Sequence, residues 1–342
     1  MFYFPKLNKG ILLGLFAGLM LNQPGYCETT SFAKDQIAAH FSQVFGEPGK
    51  DGSAPASPLI PDSGIGDSIW DVQSVLSLSG TWIAPTEVKY HPESDIQTSF
   101  GHLTYGLSIP LSPGKTLGIV TTASQFHISE SGPVEGHVFP FSDIWQWDAG
   151  IVYTHNINPR LDIFGGISGI MSGGNSHTIK DGINGLGYIG GVFRITPNLS
   201  AAAGIAMAPD HTAGQRSVPL VMLDWRINDS CRLSVRNGVY FEYAHNGDWK
   251  NVIGAGVDAY AWLVDLKGDS FPQNGNNEYA LEVVNASGGV FYRHTFDSKL
   301  EATAKVILSN WNQIGIYRDD DEIRIDEFKT SVGFSLSLGY SF

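Results

Sequence analysis

His127 and Ser129 are the two residues of the sequence whose types and spacing best fit catalysis. Side chains two residues apart on a β-strand point to the same face. An imidazole at position 127 could therefore take the proton of the Ser129 hydroxyl and activate it as a nucleophile. The same pair is also compatible with an ordinary polar strand end, and the sequence alone favours that second interpretation. We therefore expect no enzyme activity.

Eight charged residues fall on the polar face of segments in which apolar and polar residues alternate. They could set the selectivity of a lumen for ions or solutes. They could equally pair with one another and fill an interior as a structural network. Asp224 and Arg226 share a face, as do Glu301 and Lys305, and this spacing suits paired charges. The eight residues are Asp148, Asp224, Arg226, Glu242, Asp258, Arg293, Glu301 and Lys305.

An acidic run, Asp319-Asp320-Asp321-Glu322, is expected in a loop. Hard divalent cations prefer carboxylate oxygens, so the run could bind cations that bridge lipopolysaccharide. Such a run is more typical of a solvated loop tip, and we expect no metal site. The sequence has no Walker loop, no GxSxG and no CxxC or HExxH spacing, and it indicates no cofactor.

Composition excludes several classes of protein. Of the 342 residues, 16% are charged and 12% are aromatic, whereas a disordered chain has fewer aromatic residues and more charge. The mean hydropathy of -0.04 is too low for a helical membrane protein. The net charge of -13 gives no basic surface for nucleic acid.

The first 27 residues are predicted to be a secretory signal peptide. Lys6 and Lys9 precede an apolar stretch at 11–21 that is too short to span a membrane as a helix. Residues 28–69 follow as a short amphipathic helix at 31–46 and a flexible linker, which together could form a plug. Cleavage near Cys27 would leave Cys231 alone, so no disulfide framework is expected.

From residue 70 to residue 342 the dominant pattern is alternation with a period of two. In the last ten residues, aromatic or aliphatic side chains alternate with glycine and serine. A soluble sandwich and a membrane barrel both produce such strands. Many segments here run for about 10 residues or more, which is enough to cross a bilayer at a tilt, and their polar face is mostly Gly, Ser, Thr and Ala. The pattern therefore predicts an all-β fold, a transmembrane antiparallel up-and-down barrel.

The connections fall into two classes. Short turns are expected at 112–115, 158–160, 197–198, 228–230, 246–248 and 297–299, and longer loops at 84–95, 126–143, 172–183, 209–217, 265–277 and 311–326. This alternation divides the periplasmic from the outer end of a bacterial barrel. It predicts about 12–14 strands, with both termini on the periplasmic side. The uncertainty lies in 231–244, which must hold two short strands around Asn237-Gly238 to reach the higher number.

The C-terminal sequence GFSLSLGYSF resembles the terminal strand of Gram-negative outer-membrane barrels. The resemblance implies location in the bacterial outer membrane and recognition by the barrel assembly machinery. The stretch 218–250 resembles a barrel family catalogued only as a domain of unknown function, which implies topology and no activity. The residues of the implied assembly signal are Phe334, Leu336, Leu338, Tyr340 and Phe342.

Three functions follow from these patterns. The first is a passive pore or small-solute channel, because about 14 strands leave a wider lumen than eight. The second is a lipid hydrolase using His127 and Ser129. Outer-membrane phospholipases and lipid A deacylases carry a similar His-x-Ser followed by Asn and Gly, whereas Glu130 and Ser131 follow here. The third is a structural or adhesive barrel with a closed lumen. In each case the expected partners are outer-membrane lipid and lipopolysaccharide, and no oligomeric state is indicated.

Overall fold

The fold is an antiparallel β-barrel, as a computed structural model of the chain shows. The structure describes residues 73–89, 91–131, 143–174, 182–210, 214–236, 238–266, 279–296, 299–318 and 321–342. The predicted signal peptide at 1–27 and the predicted helix and linker at 28–69 lie outside the described residues. No helix in the described ranges is long and apolar enough to cross a membrane.

Within the described residues the sheet has fifteen strands, and one turn of 3-10 helix at His245–Gly247 lies between the tenth and the eleventh. The strands, in chain order, are β1 (Gln73–Val88), β2 (His91–Ser112), β3 (Lys115–Ser131), β4 (Asp143–Asn158), β5 (Leu161–Gly174), β6 (Gly182–Thr196), β7 (Leu199–Asp210), β8 (Gly214–Arg226), β9 (Cys231–Val235), β10 (Gly238–Ala244), β11 (Asn251–Leu266), β12 (Tyr279–Thr295), β13 (Leu300–Arg318), β14 (Asp321–Phe328) and β15 (Ser331–Ser341).

The sheet closes because its last strand pairs with its first. β15 runs antiparallel to β1 from Val75 opposite Ser341 to Ile83 opposite Gly333, and it also pairs with β13. β14 and β15 lie one after the other between the same neighbours, β13 and β1, so they form one wall position interrupted at residues 329–330. The closed wall therefore has 14 positions, which confirms the upper predicted number.

Five of the six predicted short turns lie within the described residues, all at one end of the barrel, and of the sixth only Lys299 is described. Ser341 donates its amide to the carbonyl of Lys299 in one of these turns, and Phe342 donates to the carbonyl of Ser74. Both ends of the barrel sequence therefore lie at the turn end. In the first turn Gly114 has a φ of 73°, which glycine adopts without steric cost. The doubtful segment 231–244 forms two strands, β9 and β10.

Large apolar side chains cover the outward face of the wall. On β15 the exposed residues are Val332, Phe334, Leu336, Leu338 and Tyr340, while Gly333, Ser335 and Ser337 between them are buried or half-buried. On β4 the exposed residues are Trp145, Trp147, Ile151 and Tyr153. A soluble protein rarely exposes an apolar surface of this extent, whereas a barrel in lipid requires one.

Three of the predicted long loops are largely strand, so those predictions were wrong. In 209–217, β7 ends at Asp210 and β8 begins at Gly214. β1 and β2 run through 84–95, and β13 and β14 run through most of 311–326. The polar ends of β1 and β14 pair with one another, since Lys89 forms an ion pair with Glu327 and Lys329 forms one with Glu87. Pro85 has no backbone N–H to donate to a neighbouring strand. It is tolerated because the register of β1 and β2 shifts between Ile83 and Thr86, and at such a bulge one backbone hydrogen bond can be absent.

Cysteine cross-linking tests the closing register. Ser79 lies directly opposite Ser337, and opposite Cβ atoms in an antiparallel pair are about 5 Å apart. In a chain without its native cysteines, S79C with S337C should oxidise to a disulfide that changes electrophoretic mobility. The matched control, S79C with S335C, is displaced by one pleat and should cross-link much less. Equal cross-linking of the two pairs would contradict this register.

Candidate functional site: the barrel interior

One side of the interior is apolar. Nine residues on the inner face of β4 to β8 form a buried hydrophobic cluster, called here the apolar wall. Its members are Val152, Phe164, Leu186, Tyr188, Val192, Ala202, Ala206, Leu220 and Met222. The sequence predicted mostly small polar residues on the inner face. The difference arises because these strands carry large residues on both faces, so alternation in hydropathy is weak there.

Aromatic rings of the inner face lie over glycines of the neighbouring strand. Phe164 is opposite Gly190 and Tyr188 is opposite Gly166. A Cβ atom added to Gly190 would lie 2.5 Å from the Phe164 ring, and one added to Gly166 would lie 2.4 Å from the Tyr188 ring. The rings can lie this close to the wall only because glycine has no side chain.

The same arrangement recurs on the other side of the barrel. Tyr240 lies opposite Gly256 and Phe291 opposite Gly254. An added Cβ would approach these rings to 2.5 Å and 2.1 Å, respectively. Four aromatic side chains are thus folded against the wall and do not project towards the barrel axis.

The side of the interior from β8 to β13 carries charge, and the charges are paired. Arg232 forms an ion pair with Asp224, and Arg293 donates to Glu242 at 2.8 Å. These pairs are linked, because Arg232 also lies 3.8 Å from Glu242. We call this group, with the further members named below, the ion network.

Three further contacts extend the ion network. Arg236 lies 3.6 Å from Asp224, Arg293 lies 3.6 Å from Glu301, and Lys305 forms an ion pair with Asp258. Four carboxylates thus face four bases, so the network is close to neutral. The carboxylates are Asp224, Glu242, Asp258 and Glu301, and the bases are Arg232, Arg236, Arg293 and Lys305.

The structure places the eight charged residues named from the sequence, but with other partners than their spacing suggested. Asp224 and Arg226 do not pair, because Arg226 lies 3.7 Å from Asp229 and over the ring of Trp249. Lys305 pairs with Asp258 and not with Glu301. Asp148 is buried on β4, away from the ion network. Pairing runs across strands, which sequence spacing does not reveal.

His127 and Ser129 lie on the outward face at the outer end of β3. His127 is opposite Asp143, the first residue of β4. The Nδ1 atom of His127 lies 2.8 Å from the Oδ1 atom of Asp143. Since a carboxylate only accepts, Nδ1 carries the proton and donates it, which leaves Nε2 for another partner. The sequence analysis did not identify Asp143 as a partner of His127 and Ser129, because 16 residues separate it from His127.

The predicted acidic run is only partly described. Asp319 and Asp320 lie outside the described residues, and Asp321 begins β14 opposite Arg318. Within the described ranges, no group of three or more His, Cys, Asp or Glu side chains could hold a metal ion. Metal binding by Asp319, Asp320 and Asp321 therefore stays a hypothesis.

The interior is also narrowed by its own wall. Cα atoms of β11 come within 8 Å of Cα atoms in β5 and in β6. In a round barrel of 14 strands, strands so far apart in the wall would be separated by roughly 25 Å. The barrel is therefore pinched, and β11 lies towards the side that carries the apolar wall.

No family model matches the chain, and no curated protein matches it. The similarity of 218–250 to an uncharacterised barrel family thus remains an expectation. Among solved structures, the chain is similar to the toluene transporter TodX of Pseudomonas putida, with 9% identity over 87% of this chain and 96% of that chain and a TM-score of 0.41.

Two other solved barrels also share a low sequence identity with this chain. A FadL homologue of Pseudomonas aeruginosa shares 12% identity over 79% of this chain and 89% of that chain, with a TM-score of 0.43. The KdgM porin, in a complex with oligogalacturonate, shares 12% over 78% of this chain and 99% of that chain, with a TM-score of 0.31.

Removal of Asp224 should destabilise the barrel, because Arg232 and Arg236 would lose their common partner. Removing one member of a buried ion pair costs about 3 kcal/mol or more. Urea unfolding of the protein in lipid vesicles should show this loss for D224A. The control, D229N, alters a carboxylate that is 92% exposed and should change stability little. Equal stability of both variants would mean that the ion network is not structural.

Proposed function

We propose that this protein is a passive pore or small-solute channel of the bacterial outer membrane. The closed wall of 14 positions carries the proposal. With strands about 4.8 Å apart and tilted by about 40°, the backbone lies about 14 Å from the axis. An eight-strand barrel, which side chains fill, reaches about 8 Å by the same calculation. Where the wall keeps this round outline, a single layer of inward side chains cannot fill the interior, and where β11 comes within 8 Å of β5 and β6 the interior is narrower.

The outward surface supports location in a membrane. Beyond its apolar band, aromatic side chains are exposed near the turn end, as in the girdles of outer-membrane barrels. They include Tyr153, Tyr243, Tyr292, Tyr340 and Phe342. We infer that the alternating residues from Phe334 to Phe342 also serve as the signal for barrel assembly, since they stand exposed on the strand that closes the wall.

The chemistry of the interior favours weak selectivity for charge. The bases and carboxylates of the ion network neutralise one another, so the network does not create the strong field of one sign that steers ions. The apolar wall faces a different part of the interior. Such an interior suits uncharged or weakly charged small solutes better than a specific ion.

Conductance in planar bilayers tests the pore directly. Purified protein should give single-channel steps with little preference between potassium and chloride. If no steps occurred at any voltage, the proposal of a structural or adhesive barrel with a closed lumen would be favoured. Deletion of residues 31–66 then separates a plug from a solid interior, because only loss of a plug would restore conductance.

Substitution of Gly190 should narrow the pore. In G190L the added Cβ would meet the Phe164 ring at 2.5 Å and the backbone carbonyl oxygen of Ala203 at 2.7 Å. In a barrel that folds despite the backbone contact, the ring should move from the wall towards the axis, and single-channel conductance should fall. The matched control is G187L, on the same strand, where an added Cβ meets nothing within 4 Å. Unchanged conductance in G190L, with the barrel folded, would show that the aromatic-glycine pairs do not border the pathway.

The hydrogen bond between His127 and Asp143 favours a second candidate function, hydrolysis of lipid esters. Asp143 would hold the His127 ring, and Nε2 would accept the proton of Ser129 as its Oγ atom attacks an ester carbonyl. The protonated ring would return that proton to the departing alcohol, and water would release the acyl group. Asp143 lies one pleat beyond the exposed Trp145, and tryptophan is enriched where the hydrocarbon of a membrane meets its head groups.

A serine-directed fluorophosphonate tests this candidate without a known substrate. The wild-type chain in detergent should be labelled, and labelling should be lost in S129A and strongly reduced in D143N. The control is S131A, which removes the next outward serine of β3 and should label normally. Absence of labelling in the wild-type protein would remove the candidate and leave the expectation of a non-enzyme.

A further inference from the structure

We propose that the lumen carries a track of hydroxyl, imidazole and amide side chains that binds small uncharged solutes rich in hydroxyl groups, such as sugar alcohols. The inference rests on the proposed pore and names the class of solute that the pore takes up. It follows from the register of the sheet, which places inward polar side chains opposite one another on neighbouring strands. The strands concerned are β13, β15, β1, β2, β3 and β4.

One line of the track, called here the first row, crosses all of these strands without a gap. Each member lies directly opposite the next in the register of the sheet. Thr303 lies near the start of β13, at the turn end, whereas Gln146 lies near the outer end of β4. The row therefore climbs from the turn end into the outer half of the barrel. Its members, in order, are Thr303, Ser337, Ser79, His102, Ser124 and Gln146.

The tilt of the strands makes this row a path along the barrel. Opposite residues lie along a line perpendicular to the strands, which are about 4.8 Å apart and tilted by about 40°. The five steps from β13 to β4 thus cover about 24 Å and rise by about 15 Å along the axis. A solute in the lumen therefore meets polar side chains over about half of the thickness of the hydrocarbon core.

A second row runs beside the first and widens the track. Ser77, Thr104 and Thr122 lie opposite one another on β1, β2 and β3. Each is two residues from a first-row member on its own strand, so both rows share the inner face. The Oγ1 atoms of Thr104 and Thr122 lie 3.1 Å apart, and Nδ1 of His102 lies 2.9 Å from Oγ of Ser124. A pair of hydroxyl groups uses one donor and one acceptor, which leaves further donor and acceptor capacity for a solute.

Burial distinguishes the track from the other side of the interior. The nine residues of the apolar wall are buried, so they leave almost no surface to the lumen. Most members of the track face away from lipid and yet are only half-buried, which means that their remaining surface borders the lumen. The half-buried members are Ser77, Ser79, His102, Thr104, Thr122, Gln146, Thr303 and Ser337.

The chemistry of the track selects the class of solute. A hydroxyl group both donates and accepts, so the alcohol groups of a solute can replace water on the track and leave no polar group unpaired. An apolar solute would remove that water and return no hydrogen bond, which costs free energy. No carboxylate, lysine or arginine interrupts the first row between Thr303 and Gln146. Several weak neutral sites in succession also allow release, which conduction requires.

Saturation-transfer NMR tests the track, because it reports binding whether or not the barrel conducts. The full chain is placed in a detergent without sugar groups, and the probes are sorbitol and tetraethylene glycol, which is of similar size but has hydroxyl groups only at its ends. Saturation should pass from the wild-type barrel to sorbitol, and this transfer should fall severalfold in S79A/S337A/T104V. The matched control is S99A, which removes an outward hydroxyl of β2 opposite Trp82 and should leave the transfer unchanged. The single variants S79A and T104V replace the triple variant if it does not fold.

Equal transfer to sorbitol in the wild-type barrel and the triple variant would overturn the track. Absence of transfer to sorbitol in the wild-type barrel, or stronger transfer to tetraethylene glycol, would also overturn it. Conductance of the same preparations is measured without solute. Sorbitol binding without conductance would contradict the pore alone, whereas conductance without sorbitol binding would contradict the track alone.

Osmotic swelling of proteoliposomes tests whether the bound solute moves along the track. Sorbitol entry should slow severalfold in S79A/S337A/T104V, although the new side chains are no larger than the old ones and do not narrow the lumen. Entry of tetraethylene glycol, corrected for its passage through protein-free vesicles, should be unchanged. Equal slowing of both solutes would contradict the track, because the loss would then not depend on hydroxyl groups of the solute.

Discussion

Backbone hydrogen bonding between the first and last strands is the constraint on which the rest of the structure depends. In hydrocarbon no water satisfies an unpaired N–H or C=O group, so a sheet must close to survive there. The pairing of Val75 to Ile83 with the final strand achieves that closure. It fixes the number of wall positions, the width of the interior and the division of side chains into an outward and an inward set.

The outward and the inward side chains are under different physical constraints. Outward residues need only be apolar where they meet lipid. This requirement is visible in the sequence as an apolar residue at every second position. Inward residues border the lumen, and those that are buried must satisfy one another, since they meet neither lipid nor a conventional core. The inner face meets this demand in two ways: cross-strand ion pairs such as Arg293 with Glu242, and aromatic rings laid on glycines such as Phe164 on Gly190.

The sequence was therefore informative about the fold and weak about the site. Alternation and turn composition predicted the barrel, the turn end and the two strands of 231–244. They missed the extension of β1 and β13, because the polar hairpins that project beyond lipid resemble loops. Partners such as Arg232 for Asp224 and Asp143 for His127 depend on register. Register depends on the whole closed wall, and no local pattern encodes it.

The central claim is that alternate residues of this wall touch hydrocarbon while their neighbours face the interior. A scan of spin labels along 334–338 of β15 in lipid vesicles measures this most directly. The account predicts high oxygen accessibility at Phe334, Leu336 and Leu338, and low oxygen accessibility at Ser335 and Ser337. Accessibility without a period of two, or a folded chain that remains in water without detergent, would contradict it.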